Sequence, residues 1–141
     1  MTISPAPKIT IQNALNHSFF SRLDKTCHRC QLFGVHKLSI KPIELPTILI
    51  VLVNRFLVNT STVNKNTAYI SIEKTLNICQ TTYELLSIVH HHGDYITSGH
   101  YTALAKYQKY FVCNDIIVKE FIYPGHILFK TAYIILYKKM E

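Results

Sequence analysis

Residues 83–118 read YELLSIVHHHGDYITSGHYTALAKYQKYFVCNDIIV. Tyr83 to His90 is β-branched and apolar enough for a strand, and Tyr101 to Tyr107 and Tyr110 to Cys113 read as the arms of a tight hairpin. Between them, His91 to Gly99 is expected to be a loop. If Tyr107 and Gln108 form a two-residue turn, His100 faces Asp115 across the hairpin; with a three-residue turn it faces Asn114. Directly opposed residues lie ~5 Å apart at Cβ with their side chains on one face. Either register sets a histidine against a carboxylate or amide oxygen, which is the base-and-orienter half of a nucleophile–His–Asn/Asp triad. The orienter fixes one ring nitrogen as donor and leaves the other to take a proton. Register alone does not choose between Asn114 and Asp115.

Outward from this segment the chain is strand-rich. Ile11, Ala14, Leu15, Ser18 and Phe19 follow helical spacing behind Thr10 as N-cap, which predicts one amphipathic helix over roughly 11–21. Cys27-His28-Arg29-Cys30 falls in a turn. From Lys37 the pattern alternates, Pro42 and Pro46 break it, and Thr47 to Leu57 reads as a central strand buried on both faces. Asn59 to Asn66 reads as a polar loop, and Ala68 to Ile72, Ile116 to Val118 and Tyr133 to Tyr137 as further strands. One helix followed by many strands predicts an α+β fold with a mostly antiparallel sheet.

The 141 residues are 48% hydrophobic and 16% charged, enough apolar material for a core and too little charge for a disordered tail. The net charge of +7 comes from lysines spread along the chain rather than from a basic stripe interleaved with aromatics, so nucleic acid is not the expected partner. The strongest apolar run, Ile48 to Val53, is far short of the ~20 residues that span a bilayer, so no membrane is expected. With no signal-peptide pattern, the chain is expected inside the cell, in cytoplasm or nucleus. The four cysteines, Cys27, Cys30, Cys79 and Cys113, then read as thiols or metal ligands.

Several separated motifs resemble, in order and over about residues 9 to 138, the catalytic domain of ubiquitin-specific proteases. Ser98-Gly99-His100-Tyr101-Thr102-Ala103 resembles the family's histidine box. Cys113-Asn114-Asp115 with Val118 resembles its segment that orients the histidine. Leu45-Pro46, Leu49, Leu52 and Asn54-Arg55-Phe56 look like an internal strand, Tyr133 to Tyr137 the terminal strand, and Ile9 to Leu23 the helix before the zinc finger. The resemblance implies a papain-like cysteine protease palm, one partial catalytic domain over 1–141: helix and half a zinc knuckle in 1–36, palm sheet with histidine box in 37–141.

In function it implies thiol-dependent hydrolysis of the isopeptide or peptide bond after ubiquitin's C-terminal glycine. His100 would be general base and then acid, Asn114 its orienter, and Asp115 a support. Gly93, Ser98, Gly99 and Tyr101 would line the loop over the ubiquitin tail. Ubiquitin or a ubiquitinated protein is the implied partner. The family's nucleophile box is not matched, and none of the four cysteines follows a glycine-rich turn opening a helix, where a thiolate would be stabilised. The expectation is therefore a chain inactive alone, served by a cysteine box on a second chain or another segment, or else a pseudoenzyme that binds ubiquitin. Cys27-x-x-Cys30 has zinc spacing but supplies half of a four-ligand site, with His28 and His36 as weak substitutes, so no bound cofactor is expected. His90, His91 and His92 alternate faces in an extended segment, do not converge on one ion, and are expected to be solvated or at a strand end.

Overall fold

A computed structural model describes residues 2–3, 9–58 and 63–141. The first half of the predicted 59–66 loop, residues 59–62, lies outside them. In chain order the elements are β1 (Thr2–Ile3), β2 (Ile9–Thr10), α1 (Ile11–Phe19), β3 (Phe20–Thr26), β4 (Phe33–Ser39), β5 (Ile48–Val53), β6 (Phe56–Val58), β7 (Val63–Lys65), β8 (Ile70–Glu73), β9 (Thr75–Ile78), β10 (Thr81–Tyr95), β11 (Ser98–Lys106), β12 (Tyr110–Asn114), β13 (Ile117–Phe121), β14 (His126–Phe129) and β15 (Ala132–Lys139). The fold is α+β and mostly antiparallel. An eight-stranded sheet runs β1-β5-β15-β10-β11-β12-β13, with β9 also on β10. A small sheet β14-β8-β2 and the hairpins β3–β4 and β6–β7 complete it.

The helix starts as its sequence demands. The Thr10 hydroxyl accepts the Asn13 N–H at 3.0 Å, and Ile11, Ala14 and Leu15 are buried. It stops at Phe19 rather than near residue 21, because Phe20 is extended and opens the β3–β4 hairpin, whose tip is the Cys27–Cys30 turn.

β10 is the spine. One edge pairs with β15 from Tyr83 to His90; the other carries β9 over its first residues and β11 from Ser87 onward. A register shift between Leu85 and Ser87 changes which parity faces inward: Tyr83 and Leu85 are buried before it, Ile88 and His90 after it. Four buried tyrosines, Tyr83, Tyr110, Tyr123 and Tyr137, donate their hydroxyls to the carbonyls of Pro46, Leu85, Ile72 and Glu73, so their rings fill the core without orphaning a polar atom.

Three expectations need correction. Thr47 to Leu57 is not one strand buried on both faces. It breaks at Asn54-Arg55, and in β5 only Leu49, Val51 and Val53 face the core while Ile48 and Ile50 are exposed. The run was read as doubly buried because its outward residues are also apolar. The His91–Gly99 loop is instead strand: β10 continues to Tyr95 and β11 begins at Ser98, with a bulge between His92 and Tyr95 where Gly93 takes φ +123°. Glycine and polar residues look like loop but here serve a bulge. Finally, the β11–β12 register is neither of the two anticipated. Lys106 faces Tyr110 and Ala103 faces Cys113 around a turn of Tyr107, Gln108 and Lys109, one step beyond the two-residue case.

Where β5 breaks, Arg55 turns inward. Its side chain is fully buried, and its partners are backbone carbonyls: Nε donates to Ala132 at 2.6 Å, Nη1 to Asn66 and Ala68 at 3.0 Å each, and Nη2 to Phe129 at 3.1 Å. Burial lowers its pKa to about 10, still a cation at neutral pH. Arg55→Met is expected to strand these carbonyls in an apolar interior and cost about 3–5 kcal/mol. Urea unfolding should show a lower midpoint at unchanged slope; an unchanged midpoint refutes the bracing role.

Candidate functional site

β11 opens with Ser98-Gly99-His100, and β12 closes with Asn114. The pairing of Ala103 with Cys113 sets Thr102 level with Asn114, so His100, two residues before Thr102, is the diagonal neighbour of Asn114 on the same face. A long side chain spans that diagonal, and His100 Nε2 lies 2.6 Å from Asn114 Oδ1. Asp115 is thrown out of alternation by a left-handed backbone, φ +50°, at the β12–β13 turn, and its carboxylate stands 4.0 Å from the same nitrogen. Asp tolerates that conformation better than most side chains. The His100 side chain remains 49% exposed.

The amide oxygen can only accept. Nε2 therefore carries the proton, and Nδ1 is left with its lone pair as a base.

His92 faces His100 across the strands with ring centroids 6.3 Å apart, and its Nε2 lies 2.8 Å from the Thr102 hydroxyl. Its pKa is lowered by partial burial, then by His100 and by Lys65. His90 continues this row, 6.2 Å from His92 and stacked near Phe129 at 4.8 Å. His91 points to the opposite face among Phe56, Tyr101 and Tyr133. The expectation of solvated histidines is corrected here: His90 and His91 are buried, because β10 continues through them between β15 and β11.

Gly93 and Gly99 lie close together near the β10–β11 end. A Cβ on Gly99 would sit 2.4 Å from His91 Nε2 and 2.4 Å from the His92 carbonyl; one on Gly93 would meet the Gly99 backbone at 3.1 Å. The bareness of Gly99 serves the packing of His91. Tyr101 is half exposed and covers His91 from the solvent side, 4.9 Å between rings.

Cys27 and Cys30 sit elsewhere, at the tip of β3–β4. The knuckle is closed by Cys27 N–H to the Leu32 carbonyl and Gln31 N–H to the Cys27 carbonyl, 2.9 Å each. Backbone N–H groups of Cys30 and Arg29 lower the Cys27 thiol pKa. That suits half of a zinc site. However, no group of three or more His, Cys, Asp or Glu that could hold a metal occurs among the described residues, and His36 lies down the hairpin opposite Leu23. Cys113 alternates away from Asn114, and Cys79 turns at the opposite end of β10, on the order of 35 Å along the strand from His100. Nothing local in the sequence marks Lys65, which reaches His91 from β7; for His91 the histidine run is the signal.

A twisted antiparallel palm with a histidine oriented by an amide beside a paired-glycine strand end has the layout of a papain-like cysteine protease of the ubiquitin-processing kind. The family model for ubiquitin carboxyl-terminal hydrolase matches residues 6–137, and the chain belongs to that family. Among solved structures, it superposes on the yeast SAGA DUB module with TM-score 0.75 and 23% identity over 99% of this chain. A SAGA Ubp8/Sgf11/Sus1/Sgf73 module bound to monoubiquitin gives 0.72 at 22% identity, again over 99% of this chain, and one bound to ubiquitin aldehyde gives 0.71 at 21% over the same share. The chain spans about a third of those chains, 35% in each case. Comparison with curated protein sequences gives no match. Among the described residues no helix is long and apolar enough to cross a membrane.

Burial, followed by the nearby His92 and Arg55, lowers the His90 pKa to about 4, against 6.5 in the unfolded chain. The folded state refuses a proton that the unfolded state accepts between those values. Stability should thus fall as pH drops from about 6.5 to about 4, by roughly 3 kcal/mol from this residue. Unfolding midpoints across that range should show a shallower decline in His90→Gln; identical slopes refute the assignment. Gly99→Ala should force the His92 carbonyl and the His91 ring apart, costing on the order of 1–3 kcal/mol, with a lower melting temperature and displaced His100 resonances.

Proposed function

We propose that this chain is the base-bearing palm of a deubiquitinase, acting on the bond that follows ubiquitin's C-terminal glycine. The observation that carries the reading is the 2.6 Å contact between His100 Nε2 and Asn114 Oδ1, with the His100 side chain half exposed. His100 Nδ1 takes the proton of a cysteine thiol; the thiolate attacks the scissile carbonyl; the imidazolium then protonates the leaving amine. Asn114 holds the tautomer. The carboxylate of Asp115 steadies the imidazolium that forms. Gly93, Ser98, Gly99 and Tyr101 border the approach to His100 and suit a narrow extended tail.

The thiol comes from a cysteine segment other than these residues, since none of the chain's own four cysteines is placed beside His100. That same observation favours a second reading for the chain by itself: a ubiquitin-binding palm without turnover.

The isolated chain should release no fluorophore from a ubiquitin C-terminal amide. Turnover abolished by Cys113→Ala or Cys79→Ala would overturn the assignment of the nucleophile. Joined to a family cysteine segment, activity should appear, and Asn114→Ala should reduce kcat by a factor of roughly 10²–10⁴. Labelled ubiquitin titrated with the chain should shift at its tail and hydrophobic face, with affinity about micromolar or weaker. Silence from a folded monomer would sink both readings.

A further inference from the structure

Lys65 ends β7 with its ammonium against β10, just past the point where β15 stops pairing. His91 N–H reaches the Thr131 carbonyl at 2.9 Å there, but among the described residues no strand pairs along that edge beyond it. Lys65 Nζ takes the next carbonyls. It donates to the His91 carbonyl at 3.0 Å and to the Gly93 carbonyl, and lies 3.2 Å from His91 Nδ1. An ammonium has three protons and nothing to accept with, so this set uses all of them. A proton on Nδ1 would face a cation; Nδ1 therefore accepts, and the His91 ring proton resides on Nε2.

Nε2 is the ring atom that a Cβ on Gly99 would meet, so the His91 ring packs directly over Gly99. The residue after Gly99 is His100.

We infer that Lys65 and His91 are positioning residues for His100. The ammonium pins the Gly93 bulge and selects one tautomer of His91, and the His91 ring then fixes the Ser98–Gly99 backbone from which His100 projects. Neither side chain touches the reacting atoms. The importance of the clamp for turnover rests on the role proposed above for His100, whereas its geometry does not.

Three further observations agree with a built device. The Phe56 ring lies 5.8 Å from the Lys65 ammonium and 5.5 Å from the His91 ring, so one aromatic side chain backs both partners. Tyr101 and Tyr133 close the remaining sides of His91, leaving it 1% exposed. Burial and then Lys65 lower the His91 pKa, which favours the neutral ring.

The test is side-chain nitrogen NMR on the histidine-labelled chain. In the wild type, His91 should be a single Nε2–H tautomer, and finding it as Nδ1–H overturns the inference without any variant. Lys65→Met fills the same space without donors. It should give mixed His91 tautomers, at least tenfold faster amide exchange at Gly93 and Gly99, and a perturbed His100 ring, while Ile134 to Leu136 amides on β15 keep wild-type protection. Lys65→Arg should restore the tautomer in part and serves if the Met variant does not fold; no difference between wild type, Arg and Met at His91 and Gly99 refutes the clamp. In the protein joined to a cysteine segment, Lys65→Met should lower kcat at least tenfold with KM nearly unchanged, and full activity there overturns the positioning role. Loss of ubiquitin shifts with the wild-type tautomer intact would indict the functional reading and leave the clamp standing.

Discussion

Arg55 is the constraint on which the rest depends. A buried guanidinium needs its hydrogen bonds met or it costs several kcal/mol. Here the acceptors are carbonyls from the segment after β7, from the last residue of β14 and from the first residue of β15. These pieces are far apart in sequence and have no ladder of their own in common. The fork geometry of arginine makes them one assembly, which a lysine with three protons on one atom does not reproduce. That assembly brings β7, and therefore Lys65, against β10.

β10 then carries two different environments on its two faces. His90 and His92 share the face of His100, while His91 is sunk among aromatic rings on the other. Alternation together with the burial of β10 toward its middle gives the three consecutive histidines three surroundings: His90 packs against Phe129, His91 among aromatic rings on the other face, and His92 beside His100. No metal is needed to rationalise the run.

The histidine box and its Asn-Asp partner were legible as a hairpin pair, since alternating β-branched and aromatic residues around a polar turn are a local signal. Their register was not, because a change of one residue in turn length moves every partner, and Tyr107-Gln108-Lys109 contains no Asn-Gly or Gly to specify the turn. The extension of β10 through Gly93 was hidden because its stability comes from β11 and from Lys65, residues distant in sequence. The break at Asn54-Arg55 was hidden for a similar reason: a charge inside an apolar run is interpretable only once its four carbonyls are located. α1 was legible almost to its end, as its cap and apolar stripe are local.

The His100–Asn114 pair is set by the sheet alone. The His100–Asn114 contact depends on the diagonal between β11 and β12, on the left-handed Asp115 that ends β12, and on Gly99 leaving room for His91. None of these involves a cysteine. The orientation of the imidazole is therefore a property of the sheet. Under the function proposed above, that division leaves the tautomer to rigid strands, and only the thiol and the substrate tail would have to arrive. It also explains the choice of orienter. Asn114, still inside the ladder opposite Ile117, has its oxygen fixed in direction, whereas Asp115 sits in the turn, 76% exposed, and contributes charge from a distance rather than geometry.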